Sequence, residues 1–112
     1  MKIIISAQIE LDPANRADAL QQAVPTIEEI KALPGCIRYD WAADCVDAGR
    51  IVVYEEWENA AALDAHFAGP GFAEMQGLLG RIGLTSAKAL KFSVDREGSV
   101  LNADRVPSSS FD

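Results

Sequence analysis

The spacing of apolar residues changes period several times along the chain, and the order of these periods constrains the fold most. Residues 2–10 alternate apolar and polar side chains, which is typical of a strand with one buried face. Asp12 then provides an N-cap, and apolar residues recur at helical spacing up to Leu33. Pro25 lies inside this helix and predicts a kink or a loosened turn, not an end, because the apolar stripe continues beyond it.

The middle of the chain returns to the period of a strand. Residues 36–44 and 50–58 both alternate, and the polar residues 47–49 separate them, so we predict a β-hairpin. Its first strand places Ile37, Tyr39 and Trp41 on one face. We assign Tyr39 and Trp41, together with Tyr54, mainly to the core and to a dimer interface.

Helical spacing and then a last strand follow the hairpin. Asn59 can cap a short helix through Phe67, residues 69–71 break it, and a second helical stretch reaches Ile82. Residues 88–94 predict the last strand, with Leu90, Phe92 and Val94 on one face. We therefore expect one domain over residues 1–97. Residues 98–112 form a polar tail that is either mobile or packed on a partner chain.

The resulting order is strand, helix, strand, strand, helix, strand. This is the split βαβ pattern of an α+β, ferredoxin-like sandwich, which carries its helices on one face of the sheet. The other face must then be covered, and its predicted residues are semi-polar: Ser6, Gln8, Tyr54 and Glu56. We predict a homodimer in which two sheets pack face to face.

Charge and cysteine content exclude several classes of function. Seventeen acidic residues against ten basic ones give a net charge of −7, which disfavours nucleic acid and membrane surfaces as partners. Cys36 and Cys45 are predicted to be reduced thiols in a cytoplasmic protein. We expect no metal site, because the sequence has no CxxC motif and only one histidine.

Three motifs in order resemble the antibiotic biosynthesis monooxygenase domain. They are Pro34-Gly35-Cys36-Ile37-Arg38-Tyr39-Asp40-Trp41, Tyr54-Glu55-Glu56-Trp57-Glu58-Asn59, and Leu63-Asp64-Ala65-His66-Phe67 followed by Pro70 and Phe72. The resemblance implies a dimeric α+β barrel with a cavity between helices and sheet. It also implies oxidation of phenols, quinols or anthrones by O₂ without metal or flavin, so that no cofactor is expected.

The polar residues of two branches of that family are missing here. Anthrone-oxidising members carry a Trp that Trp57 matches, but their Asn and Tyr positions hold Val53 and Leu63. The Asn and His of haem-degrading members fall near Ala7 and Gln76, which disfavours haem chemistry. Quinol-oxidising members typically have a His at the end of the short helix, and His66 fits that position.

His66 is the first candidate for catalysis because histidine alone has an ordinary pKa near working pH. Its spacing from Leu63 places it at the margin of an apolar stripe, pointing toward the sheet. The alternative is a boundary histidine that bonds a carbonyl or water. Glu55 shares its face of the strand with apolar neighbours, so it either orients His66 and takes protons or forms an ion pair with a base such as Arg38.

The sequence thus predicts a monooxygenase acting on a small aromatic substrate and O₂, with His66 and Glu55 as catalytic residues. A binding module without turnover and a cofactor-free isomerase remain alternatives. Arg81 is a weaker candidate for the rim of the pocket. The predicted substrate-binding residues are Trp57, Val53, Leu63, Phe67, Phe72, Met75 and Gln76. For Trp57 the alternative is a tryptophan that fills the core.

Overall fold

A computed structural model describes residues 1–111. It contains the predicted elements in the predicted order, including the break between the two helical stretches that follow the hairpin. The elements are β1 (Lys2–Leu11), α1 (Pro13–Lys31), β2 (Cys36–Ala43), β3 (Arg50–Trp57), α2 (Ala60–Phe67), α3 (Pro70–Ile82) and β4 (Leu84–Val94).

The four strands form one antiparallel sheet in the order β2-β3-β1-β4. Residues on one face of the sheet, including Ile5 and Trp57, form a core cluster with Ala23 and Ile30 of α1 and with residues of α2 and α3. A second cluster joins Ile9 of β1 to Ala19 of α1. The helices therefore cover one face, and the predicted α+β, ferredoxin-like fold is confirmed.

Local side-chain chemistry explains where the helices begin. The Asp12 carboxylate accepts a hydrogen bond from the Ala14 amide at 2.9 Å, and the Asn59 side chain accepts one from the Ala62 amide at the same distance. Both residues satisfy amides at a helix start that have no partner within the helix. α1 continues unbroken through Pro25, as the apolar stripe predicts.

The last strand begins earlier than residue 88. Gly83 adopts a left-handed conformation with φ of 90° and ends α3. The chain then enters β4 directly, and Leu84 already pairs with Leu11 of β1. Because Gly83 ends α3 directly before Leu84, β4 begins four residues before the predicted start at residue 88.

One predicted face requires correction, and a second is now assigned to a side of the sheet. A register shift between Cys36 and Arg38 leaves Ile37 46% exposed, so it does not share the buried environment of Tyr39. Leu90 and Phe92 do lie on one face, but it is the face without helices, and they are 51% and 50% exposed. We call this face, which also carries Ser6 and Tyr54, the outer face.

The tail folds back on itself over its described part. Leu101 and Pro107 form an antiparallel bridge, and Arg96 donates a hydrogen bond to the Phe111 carbonyl at 3.2 Å. The predicted tail also includes residue 112, which lies outside the described residues. Packing of the tail on a partner chain stays a prediction.

None of the helices within residues 1–111 combines the length and the apolar character needed to cross a membrane.

Candidate functional site

His66 lies deep inside the protein near the end of α2. Only 2% of it is exposed, and its ring stacks on the Trp57 indole with 4.7 Å between centroids and 20° between planes. The rings of Tyr39 and Phe72 form T-shaped contacts with the imidazole, with 5.8 and 5.5 Å between ring centroids. Its Nδ1 atom is buried without a hydrogen-bond partner among the described residues. The prediction that His66 points toward the sheet is confirmed.

Glu55 is buried on the same side of the sheet. Strand alternation places it on the helix-covered face with Trp57, and only 8% of it is exposed. Its Oε1 atom accepts a hydrogen bond from the Trp57 Nε1–H at 2.9 Å. Within residues 1–111 the Glu55 carboxylate has no ion-pair partner.

The alternative in which Arg38 neutralises Glu55 is wrong. Arg38 pairs in register with Glu56, which alternates with Glu55 and points to the outer face. Its guanidinium bonds Asp40 at 2.7 Å and lies 4.5 Å from the centre of the Tyr54 ring. Glu55 is thus a buried acid without a compensating cation in the part of the chain that the structure describes.

Burial shifts the pKa values of these groups in opposite directions. Burial raises the pKa of Glu55, and the hydrogen bond from Trp57 opposes that rise. Burial lowers the pKa of His66, which favours the neutral imidazole. Burial, followed by the negative charge of Glu55, raises the pKa of the Tyr39 hydroxyl far above its ordinary value.

The Trp57 indole connects the two candidate catalytic groups. One face of the ring stacks on His66, while its N–H binds Glu55. In the described structure the hydrogen bond to the Glu55 carboxylate comes from Trp57, and the His66 Nδ1 atom has no partner. The prediction that Glu55 orients His66 is therefore not met by direct contact, and any influence passes through Trp57.

The space around His66 itself is small. The cavity that His66 lines lies between α1, α2 and the start of α3, and its volume is about 70 Å³. This volume is well below the roughly 300 Å³ at which ligand pockets begin.

A larger space, shallow and open to solvent, lies on the helix-covered side of β1 and β4. We call it the β4 cavity, and its volume is about 270 Å³, near the lower end of ligand pockets at about 300 Å³. Ala89 makes room there because its side chain is small, and Phe67, 45% exposed, forms the wall toward His66. The lining residues are Ile5, Phe67, Ala89, Leu90 and Lys91.

Most of the predicted substrate-binding residues are instead core residues. Val53, Trp57, Leu63 and Met75 are between 0% and 6% exposed and pack against other apolar side chains. Of the predicted set, Phe67 alone lines the β4 cavity. The predicted pocket, with a substrate ring held against Trp57 and Met75, is filled by protein side chains.

Gln76, Arg81 and Phe72 were predicted to border the substrate pocket, and the structure places them elsewhere. Gln76 is exposed on α3, next to buried Met75, because successive helical residues point in different directions. Arg81 is also exposed and lies 3.7 Å from the Glu74 carboxylate. Neither lines the cavities described above. Phe72 is half-buried and contacts the rings of His66 and Phe67.

Sequence reasoning missed Lys91 and Ala89. Both belong to an alternating strand, but the alternation alone does not say which set of side chains faces the helices. The register of β4 against β1 decides this, because Lys91 pairs with buried Ile5 and Ala89 pairs with Ala7.

Within residues 1–111, no three or more His, Cys, Asp or Glu side chains are grouped so that they could hold a metal ion.

Comparison with solved structures supports the fold. A Deinococcus radiodurans protein named as a candidate antibiotic biosynthesis monooxygenase matches with a TM-score of 0.81 at 20% identity, over 89% of this chain and 99% of that one. Rv0793 from Mycobacterium tuberculosis matches with a TM-score of 0.76 at 23% identity, over 88% and 100%. A further antibiotic biosynthesis monooxygenase matches with a TM-score of 0.73 at 26% identity, over 82% and 97%.

Sequence comparison leads to the same family. An uncharacterised protein of Synechocystis sp. is 32% identical over 72 residues, which are 64% of this chain and 49% of that protein. The chain thus spans about half the length of the curated relative it matches. The family model for antibiotic biosynthesis monooxygenases matches residues 2–78. The chain therefore belongs to the antibiotic biosynthesis monooxygenase family.

Proposed function

We propose that this protein is a monooxygenase that oxidises a small phenol or quinol with O₂, the substrate supplying the electrons. For a naphthoquinol, one oxygen atom replaces a ring hydrogen with a hydroxyl group and the other leaves as water. The two quinol O–H hydrogens enter that water, and the quinol becomes a hydroxyquinone after losing four electrons. Removal of a phenolic proton starts this reaction, because the anion gives up electrons more readily than the neutral phenol.

The observation that carries the proposal is the buried pair of proton acceptors around Trp57. A base must be unprotonated before it can accept a proton, and burial holds His66 in its neutral form. Glu55, whose pKa burial raises, is a stronger base as a carboxylate than an exposed glutamate. Family membership supplies the oxygen chemistry that such bases would serve.

The β4 cavity is the proposed binding site. Glu55 pairs in register with Ile5 of its floor, and neighbouring strands lie about 4.8 Å apart, so the carboxyl group lies one strand away. His66 lies behind Phe67, with 5.8 Å between the two ring centroids. Displacement of the half-exposed Phe67 side chain would join the cavity to the imidazole.

The test is oxygen uptake by purified protein across a panel of naphthoquinols and anthrones, each corrected for its uptake without protein. We compare His66→Ala and Glu55→Gln with Glu56→Gln, which changes the neighbouring acid on the outer face. Loss of a general base lowers the rate by about 100-fold or more. We expect that loss in at least one of the first two variants and none in the control. Uptake unchanged in both His66→Ala and Glu55→Gln would remove these residues from the mechanism.

A binding module without turnover is the second candidate, and a specific observation favours it. Val53 and Leu63, at positions that are polar in anthrone-oxidising relatives, are 6% and 4% exposed and pack in the core. No polar group from these positions can reach a substrate. Absence of oxygen uptake for every compound, with binding retained, would support this candidate over the enzyme.

We also propose that the protein acts as a homodimer through its outer faces. Leu90 and Phe92 are half exposed there, Ile4 pairs with Phe92, and Tyr54 lies one strand farther away, across Ser6 from Leu90. Covering such a surface with a second copy removes apolar area from water. Sedimentation equilibrium tests the proposal: the dimer mass is expected for the natural chain, and a concentration-independent monomer would contradict it.

A further inference from the structure

We infer that the β4 cavity takes an aromatic substrate that carries a carboxylate, and that Lys91 holds that group at the cavity mouth. The inference rests on the proposed function, because it takes this cavity as the place where the aromatic ring binds. The inference adds to the proposed function a negative charge on the ligand and the residue, Lys91, that binds this charge.

The first observation is the direction of Lys91. Its Cα pairs with that of Ile5, which is 8% exposed and packs in the helix-side core. Residues opposite each other on paired strands project to the same face, so Lys91 also projects to the helix-covered side. Lys88 and Leu90 pair with Gln8 and Ser6 and project their side chains to the outer face.

The second observation is the character of the cavity. The side chains of Ile5, Phe67 and Ala89 give it an apolar floor and wall, and Lys91 carries the charge among its lining residues. An apolar recess accommodates an aromatic ring, while a single polar group at its edge selects the ring substituent. An ammonium group selects an anion.

The third observation is that Lys91 is unpaired in an acidic chain. Acids outnumber bases by seventeen to ten, yet no carboxylate lies within ion-pair distance of the Lys91 ammonium anywhere in residues 1–111. By contrast, Lys2 contacts Glu56 and Glu97, and Arg50 contacts Glu10, Asp44 and Asp47. Lys91 therefore remains able to bind a carboxylate that a ligand brings.

The test uses two probes of equal shape that cannot undergo the proposed oxidation, 1-naphthoate and 1-naphthamide. Their affinities are measured by equilibrium dialysis with the natural chain, Lys91→Met, Lys91→Arg and Lys88→Met. Lys88→Met is the matched control, because it removes the same charge from the outer face of the same strand. Lys91→Arg keeps the charge.

The natural chain should bind naphthoate more tightly than naphthamide. Lys91→Met should weaken naphthoate binding roughly five- to tenfold and change naphthamide binding by less than about twofold, since one partly solvated charge contact is lost. Lys91→Arg should restore most of the preference, and Lys88→Met should leave it intact.

Three results would overturn the inference: equal affinity of the natural chain for both probes, equal losses in Lys88→Met and Lys91→Met, or no binding of either probe. Because neither probe is oxidised, the outcome is independent of oxygen uptake. Selective binding without uptake of oxygen by any substrate would refute the proposed oxidation alone. Uptake without selectivity for naphthoate would refute this inference alone.

Discussion

Replacing Trp57 with Phe removes a hydrogen-bond donor to the buried acid Glu55, and we expect a large, pH-dependent loss of stability. Trp57 is 0% exposed, so the smaller ring leaves unfilled space that costs about 1–2 kcal/mol. Loss of the 2.9 Å bond leaves the Glu55 carboxylate buried without a donor, at a further cost of about 1–3 kcal/mol. The free energy of unfolding should fall by about 2–5 kcal/mol in total.

The pH dependence follows from the sign of the interaction. The Trp57 N–H stabilises the charged form of Glu55 and so lowers its pKa, against the larger effect of burial. Trp57→Phe should therefore cost more at pH 8, where the carboxylate is charged, than at pH 4. The assay is urea unfolding followed by circular dichroism at one fixed protein concentration, because association would make the midpoint depend on concentration.

A double-mutant cycle with Glu55→Met isolates the bond from the lost volume. If the hydrogen bond stabilises the fold, the two single costs will exceed the cost of the double variant by about 1–3 kcal/mol at pH 8. Single costs that add to within about 0.5 kcal/mol at both pH values would show that the bond has no energetic role. The reasoning about the buried acid would then be refuted.

Two further predictions concern helix packing and the buried imidazole. In α3, a Cβ at Gly71 would lie 2.7 Å from Ile30 Cγ1, whereas Gly80 has nothing within 4 Å. Gly71→Ala should therefore cost about 1–3 kcal/mol, and Gly80→Ala should stabilise by about 0.5–1 kcal/mol in urea unfolding; the reverse order would contradict the packing. Burial lowers the pKa of His66 below 6.5, so only the unfolded chain takes up this proton as the pH falls below that value. Relative to His66→Phe, the natural chain should keep its full stability above pH 6.5 and lose stability below it, and parallel curves between pH 8 and 5 would refute a buried neutral imidazole.

Much of the candidate site follows from spacing along the chain. The two-residue separation of Glu55 and Trp57 on an alternating strand is enough to place both on one face, where the structure joins them by a hydrogen bond. The three-residue separation of Leu63 and His66 likewise predicts a shared helical face, and both are buried. Such inferences succeed because they depend only on backbone geometry within one element.

Other features depended on contacts between elements. The ion pair between Glu55 and Arg38 was a reasonable alternative until the register of β2 against β3 put the two side chains on opposite faces. The sequence left Trp57 either as a wall of a pocket or as a core residue and predicted Met75 at the pocket, and the structure places both in the core, because an apolar residue fills a core or lines a cavity according to how closely its neighbours pack. The sequence contains no signal that distinguishes these two outcomes.

By itself, the sequence determined the order of strands and helices, the two side-chain caps and the common face of Glu55 and Trp57, because these depend on local periodicity and on hydrogen bonds between near neighbours. Only the tertiary structure decided which face of β4 meets the helices, and hence that the Leu90 side chain projects to the outer face while the Lys91 side chain projects toward the helices. The physical reason is that alternation is symmetric. It divides a strand into two sets of side chains, and pairing with a neighbouring strand chooses between them.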